Sequence, residues 1–375
     1  MGKKIGFVYF DELQHIHHFL SPAVELSKLD GIEVDILTYE GSHDYLKKLI
    51  DRLGGERIKL VMLSTYLYRK VIEKITRRQQ PSALYIHEKH IEKLLEYDAL
   101  IFTDHTAGNI YKARKGAKQP LLVLLGHGAG DRDHGYKETH NIFDLALVAG
   151  KKKFNRLGKA FPDRKFEIKI SGYSKFDVVK FGLDKSRHFN NSNPVVLYCP
   201  HFIEEYSSWH SAGQNILNYF LEHPEYNLIF APHFNLFNKK AYKESTLAIK
   251  EFTDAPNIFI DLGSINSTNM SYTLGSDIYL GDVSSQVYEF MYKTRPVIFY
   301  NAHNVNWQHD ENYKMWQIGK VVKSIEELDN ALTTIGHWSI EFEDKQKLLF
   351  SDTFEMTSES AGIKTARIIQ DALNL

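Results

Sequence analysis

The chain has 375 residues, 43% of them hydrophobic, with a formal net charge of −1 and a single cysteine, Cys199. That length supports two domains with real cores. The balanced charge excludes a global field for nucleic acid, and the lone cysteine excludes a disulfide framework or a cysteine metal cluster. The apolar opening run stops at Asp11 and Glu12, too short for a signal peptide, and no segment approaches the ~20 apolar residues of a membrane span. The expectation is a cytoplasmic protein.

Residues 5–10 open the chain as a buried strand, followed by a helix over about 14–29. Strands at 33–38, Lys59–Leu63, 99–103, Leu121–Leu125, 144–149 and 166–171 follow, with helices at 44–53, 66–78 and 86–97. The polar, turn-rich stretch 182–194 is the best domain boundary. A second alternating series then begins, with strands at Val195–Cys199, 227–231, 257–261, 277–281, Val297–Tyr300 and 319–322. Its helices lie near 211–221, 239–252, 286–292 and 325–335, and a last helix at 360–373 is expected to pack back on the first half. Strands alternating with helices imply parallel sheets covered on both faces. The expected fold class is α/β, two Rossmann-like domains over 1–185 and 186–375 facing across a cleft. Ligands of such sheets bind beyond the carboxyl ends of the strands.

The stretch 277–300 organises the second half as strand, turn, helix and strand. Asp282 opens its polar turn. Ser284 or Ser285 can cap the helix, leaving hydroxyls and a positive dipole end suited to a phosphate. Glu289 lies where a carboxylate could reach a ribose. An ordinary capped turn would look the same.

Three strands run into histidines. Leu121–Leu125 leads to His127, flanked by Gly126 and Gly128, glycines that let a ligand approach closely. A histidine there can act as a general base, or simply hydrogen-bond in its loop. Val195–Cys199 ends in Pro200-His201, and 227–231 ends before Pro232-His233.

These motifs, in this order, resemble the CDP-glycerol glycerophosphotransferase family, which builds or primes teichoic acids. GHGAGDRDHG resembles that family's histidine-glycine motif, usually His-Gly-Thr-Pro-Leu-Lys. GYSKFD, beginning at Gly172, resembles Gly-Tyr-Pro-Arg-Asn-Asp. VVLYCPHF resembles a Leu-Tyr-Ala-Pro-Thr strand, APHF resembles Arg-Pro-His-Pro, and GDVSSQVYEF with RPVIFY resembles Thr-Asp-Tyr-Ser-Ser and its following Lys-Pro strand. The match covers roughly 120–300. Departures fall at Ala129 to Arg132, where a proline is lost and the basic group altered, at Ser174 and at His201.

The resemblance implies a GT-B fold and transfer of glycerol phosphate from CDP-glycerol to a hydroxyl of a glycan, polymer or lipid-linked acceptor. It implies that His127 takes the hydroxyl's proton and that His233 contacts the pyrophosphate. Ser284 and Ser285 would bind phosphate, and Glu289 the ribose. His201, Asp282 and Gly172 complete the expected donor set. No cofactor and no metal are expected beyond the nucleotide-diphosphate donor. The alternatives are a glycosyltransferase or epimerase acting on a nucleotide sugar in the same frame, and a non-catalytic nucleotide-binding protein.

Two further features have plainer rivals. His15, His17 and His18 near Asp11 and Glu12 could suggest a metal site, but acceptor-binding polar residues or a plain solvated turn explain them better. Arg69, Lys70, Lys74, Arg77 and Arg78 interleave with Tyr66, Leu67, Val71, Ile72 and Ile75, giving either weak contact with an anionic membrane or a solvated face over a core stripe. Lys151 to Lys153, Arg156 and Lys159 form a second basic cluster, either an anionic-acceptor site or a solvated face.

Overall fold

A computed structural model describes residues 2–10, 13–41, 43–75, 82–132, 135–180, 188–233, 235–237 and 248–374. Asp11, Glu12, Arg77, Arg78, most of the expected helix at 239–252 and the first half of the expected boundary loop lie outside them.

The first seven strands are β1 Lys3–Tyr9, β2 Ile32–Tyr39, β3 Lys59–Leu63, β4 Ala99–Phe102, β5 Leu121–Leu125, β6 Leu145–Val148 and β7 Glu167–Ile170. They form one sheet in the order β3-β2-β1-β4-β5-β6-β7, every pairing parallel. The central strands are apolar on both faces because both faces are covered, whereas the edge strands β3 and β7 leave Lys59, Glu167 and Lys169 open. Ile5, Phe7, Ile36, Ile101 and Val123 pack against the helices Ile16–Ser27 and Ala361–Ala372. Their neighbours Val8, Leu37, Leu100, Phe102 and Leu122 belong to a second cluster with Ile86 and Leu94 from the other side.

The second sheet holds β8 Val195–Cys199, β9 Asn227–Phe230, β10 Ile258–Ile260, β11 Ile278–Gly281, β12 Val297–Tyr300 and β13 Lys320–Val322. Its order is β10-β9-β8-β11-β12-β13, again all parallel. In each sheet the order reverses beside the first strand, between β1 and β4 and between β8 and β11. Those two crevices are where a doubly wound sheet takes its ligand.

The chain divides into two compact units. The first comprises Met1–His127, Tyr136–Gly182 and Asp352–Leu375, the second Gly128–Gly135 and Leu183–Ser351. The loop after β5 therefore leaves its own unit immediately after His127.

The helices differ from the sequence reading in instructive ways. The helix expected over 86–97 is two, Ala83–Lys89 and Ile91–Leu95, separated at His90. The segment expected to begin a helix at 211 starts as a π-turn, Trp209–Gly213, before the α-helix Gln214–Glu222. The Gly213 α-carbon faces the Trp209 ring so closely that a Cβ would come 2.2 Å from it. The helix Leu67–Ile75 does not bury the apolar stripe read in it as core. Leu67 is 81% exposed and Ile75 75%, with Tyr68 and Val71 also open.

One buried carboxylate holds the first unit's carboxyl-terminal segment. Asp177, inside the Gly172-to-Asp177 motif, accepts from Ser21 Oγ at 3.0 Å and from the Gly362 N–H at 2.7 Å. Gly362 leaves room for this approach, since a Cβ there would lie 2.1 Å from Ser21 Oγ. Asp177→Ala should leave both buried donors unpaired, at about 1–3 kcal/mol each. Thermal melts of the variant should fall by on the order of 5 °C or more, whereas a surface change such as Glu359→Ala should hardly register.

Candidate functional site

In the second unit the site begins with Asp282, the residue after β11. Its side chain is fully buried. One oxygen, Oδ2, accepts from the N–H of His201 at 2.9 Å and from that of Ser208 at 3.0 Å. The other oxygen is buried without a hydrogen-bond partner. Burial pushes the carboxyl up to about 6, against the pull of those donors. The loop after β8 is thus tied to the end of β11 across the switch point.

That tie positions two histidines. His201 Nδ1 accepts from the Ile203 N–H at 3.0 Å, and His233 Nδ1 from the Asn235 N–H at 3.2 Å. Each ring therefore carries its proton on Nε2. The ring centroids are 5.7 Å apart, and Phe202 lies 4.4 Å from His233. His233 is fixed further by its own N–H, which donates to Pro200 O at 3.1 Å. Burial, then the charge of Arg132, lowers His201 to about 3 and His233 to about 4. Both stay neutral at pH 7. His201 Nε2 is buried and has no partner, so it is a donor held ready for an acceptor.

Arg132 comes from the loop that crosses to this unit after β5, and its guanidinium lies 5.8 Å from the Tyr206 ring centroid. The same loop is anchored by a hydrogen bond from the Tyr288 hydroxyl to buried Asp131. It passes close over Ser285. A Cβ on Gly130 would sit 3.5 Å from Ser285 Cβ, and one on Gly128, whose φ is +72°, would sit 3.6 Å from Ser285 Oγ. Both distances are ordinary van der Waals contact, so it is the backbone angle of Gly128 that calls for glycine.

The serine turn differs in detail from its reading. The helix that follows is Gln286–Phe290, a single turn rather than 286–292. Ser285 occupies the cap position but makes no capping bond with its side chain. Ser284 Oγ accepts from the Gln286 N–H at 3.3 Å instead. A single turn sums few peptide dipoles, so what this turn can offer an anion is only its local N–H and hydroxyl groups. Glu289 is buried on this turn. Arg295 braces the segment by donating to the carbonyls of Thr273, Ser276 and Phe290.

In the first unit His127 follows β5. Its Nδ1 donates to the Thr103 carbonyl at the end of β4, which leaves Nε2 as a proton acceptor. Thr103 Oγ1 also pairs with His15 Nδ1 at 3.0 Å. The His15 ring centroid is 4.2 Å from that of His127, and the His18 centroid 6.2 Å. The His127 ring is crowded on its flanks but reaches solvent. Crowding lowers its pKa, the Thr103 carbonyl raises it, and the ammonium of Lys153 lowers it again. His17 is engaged elsewhere, 2.8 Å from the Tyr45 hydroxyl. Among the described residues no group of three or more His, Cys, Asp or Glu is arranged to hold a metal ion.

His201, His233, Asp282, Ser284, Ser285 and Glu289 thus belong to the second unit, and His127 and Gly172 to the first. Gly172 has a packing reason of its own, with φ +80° and the Ala361 Cβ 3.0 Å from where its Cβ would lie. Two residues gain weight that their sequence context did not give them. Arg132 stood only as an altered basic group. Lys153 stood in a basic run, yet its Nζ lies 3.1 Å from where a Gly126 Cβ would be, and burial lowers its ammonium to about 8. Its spacing one turn into the helix Lys151–Ala160, which follows β6, was the only available signal.

Two Rossmann-like units, each with ligand-ready groups at its switch point, define the GT-B class. Solved structures share the fold across the whole chain. The S. aureus MnaA–UDP co-structure matches at a TM-score of 0.67 and 15% identity, covering 100% of this chain and 97% of that one. UDP-GlcNAc 2-epimerase from Neisseria meningitidis bound to UDP-GlcNAc matches at 0.58 and 12%, covering 100% and 99%. The wall teichoic acid polymerase TagF soaked with CDPG matches at 0.60 and 12%, covering 99% and 89%. No curated protein sequence matches the chain. Residues 124–370 match the model of the CDP-Glycerol:Poly(glycerophosphate) glycerophosphotransferase family. The chain belongs to that family and is an enzyme of the nucleotide-donor transferase type.

The buried neutral histidines make stability depend on pH. His17, His105 and His201 lie at about 3, and His87 and His233 at about 4. Each is below the ~6.5 of an unfolded histidine, so the unfolded chain takes up protons first. Stability present above pH 6.5 is therefore lost as pH falls from 6.5 toward 3. The melting temperature should decline steadily across that window. A flat profile between pH 6.5 and 4 would mean that these rings are not held neutral.

Proposed function

We propose that the enzyme transfers glycerol phosphate from CDP-glycerol to a hydroxyl of a glycan, polymer or lipid-linked acceptor, releasing CMP. The observation that carries this reading is the tautomer of His127. With Nδ1 donating to Thr103 O, Nε2 is a neutral acceptor at a strand end that reaches solvent. The acceptor hydroxyl gives its proton to Nε2 as its oxygen bonds to the β-phosphorus. The bond from that phosphorus to the bridging oxygen breaks, and CMP leaves with the electron pair.

The leaving group develops negative charge on the pyrophosphate oxygens. His201 Nε2–H is the buried donor without a partner, Arg132 supplies the positive charge, and His233 stands beside both. Donors already in place act in a site of low dielectric without reorganising. Ser284, Ser285 and Glu289 are assigned to the phosphate and ribose by their place at the switch point. A nucleotide-sugar donor remains the rival reading within the same fold, and release of CMP against UDP or GDP separates the two.

His127→Ala should lower turnover by about 10²–10⁴-fold, the usual contribution of a positioned base, while leaving CDP affinity intact. His201→Ala should instead weaken CDP binding. The rate should stay level down to pH 6.5 and fall only below it, because crowding keeps the base neutral. If Lys153 holds an anionic acceptor, a second fall should begin near pH 8 as its ammonium deprotonates, and Lys153→Met should remove that limb. Near-normal turnover in His127→Ala would end the assignment.

The same reading includes weak contact with an anionic membrane through the helix Leu67–Ile75. Among the described residues no helix is long and apolar enough to cross a membrane. This helix instead lays Leu67, Tyr68, Val71, Ile72 and Ile75 open on its surface. Arg69 and Lys70 are paired with Glu73 and Glu40, so apolar insertion outweighs charge here. Sedimentation with phosphatidylglycerol vesicles should pull the protein down, and Leu67→Ser with Ile75→Ser should abolish this. Equal binding by wild type and variant would remove the helix from consideration.

A further inference from the structure

The second unit holds a cavity of about 800 Å3 along the edge strand β13, lined by residues that none of the roles above uses. Its wall is the segment after β12. Asn301 clamps the wall's start, donating from Nδ2 to Val305 O at 3.0 Å and accepting at Oδ1 from the Val305 N–H at 2.8 Å. Asn304 sits in the left-handed region with φ +52°. The wall is also pinned from behind, with His303 Nε2 3.1 Å from Ser207 O. Such a segment is preformed, which lowers the cost of ordering it around a ligand.

Two tryptophans form the aromatic part. Trp316 is buried, stacked on Phe299 at 5.9 Å, and its Nε1 donates to Asp282 O at 3.3 Å. Trp307 is half-buried, with its centroid 6.1 Å from that of Trp316. Around them stand three lysines, Lys320, Lys323 and Lys345, and the lining contains no carboxylate. Among the described residues no ion pair engages any of these three ammoniums; Lys345 Nζ is instead 5.2 Å from the Phe342 ring. Side-chain amides, Gln308 among them, complete the surface.

Each component selects a different part of one ligand. Aromatic faces take the C–H faces of polyols and sugars, amides take hydroxyls, and unpaired ammoniums take phosphates. An apolar peptide strand added to β13 would gain little from three lysines, which instead discourage edge pairing. The volume lies within the roughly 300–1,000 Å3 that accommodates a drug-sized ligand, enough for a short oligomer.

We infer that this cavity binds a phosphodiester-linked polyol or glycan chain, holding the acceptor polymer at a place apart from the nucleotide's switch point. The choice of polyol phosphate rests on the transferase reading above, whereas the preference for a polyhydroxy polyanion rests on the lining. A site of this kind keeps a growing chain bound between transfers, so it affects affinity for long acceptors more than for short ones.

The test is titration of the full chain with a synthetic glycerol phosphate hexamer, followed by tryptophan fluorescence. Maltohexaose and inorganic phosphate serve as the neutral and the monomeric-anion probes. Thermal shift with CDP is measured alongside. The hexamer should change the emission and bind at least tenfold more tightly than either control, and salt should weaken it. Lys320→Ala with Lys345→Ala, and separately Trp307→Ala, should each cost tenfold or more in hexamer affinity while leaving the CDP shift unchanged. Hexamer affinity that is unaltered in both variants, or maltohexaose binding as tightly as hexamer without salt dependence, would overturn the inference. So would a dimer of the protein that dissociates on Lys320→Glu, which would give the cavity to a second copy. Absence of a CDP shift in the wild-type protein would count against the transferase reading instead, and hexamer binding would still decide the cavity.

Discussion

A buried carboxylate is costly unless it is paired or hydrogen-bonded, and the second unit is arranged to meet that condition at Asp282. Two main-chain N–H groups, from His201 and Ser208, converge on one oxygen. Because those groups lie on the loop after β8 and Asp282 lies at the end of β11, satisfying the carboxylate fixes the switch point's two sides together. The rest follows from this tie. His201 is held at the crevice with Nε2 unpartnered, and His233 is held against Pro200. Trp316, through its bond to the Asp282 carbonyl, connects the same residue to the wall of the neighbouring cavity.

The histidines show how main-chain geometry can set chemistry. His201 and His233 accept main-chain N–H groups at Nδ1 and so must present Nε2–H donors. His127 donates from Nδ1 to a carbonyl and so must present an Nε2 acceptor. The same side chain thus presents a donor in one unit and an acceptor in the other, with no charge required at neutral pH. Burial then keeps these donors neutral near pH 7.

Much of this was legible in the sequence. All thirteen described strands fall where the sequence placed them, the central ones as continuous apolar runs because a strand covered on both faces must be apolar throughout. The histidines at strand ends were visible for the same reason, since a run that stops abruptly at Pro-His or Gly-His marks a carboxyl end. Helices fared less well. The break at His90, the π-turn at Trp209 and the one-turn length of Gln286–Phe290 depend on side chains met in the fold, not on local periodicity. Arg295 binds three carbonyls from separate segments, contacts that no local pattern indicates.

The sequence by itself determined the alternation of elements, the parallel α/β class, and the motifs that carry family membership, because these depend on local pattern and order along the chain. Only the tertiary structure decided which oxygen of Asp282 is satisfied, which nitrogen of each histidine carries the proton, and that the apolar stripe of Leu67–Ile75 faces solvent. It also decided that Lys153 stands beside Gly126 and that Asp177 holds the last helix. For Asp282, Asp177, His127 and Lys153 the deciding partner is distant in sequence, and hydrogen-bond direction and burial exist only once it has been brought within reach. His201 and His233 take their direction from main-chain N–H groups two residues ahead, whose orientation only the folded loop fixes.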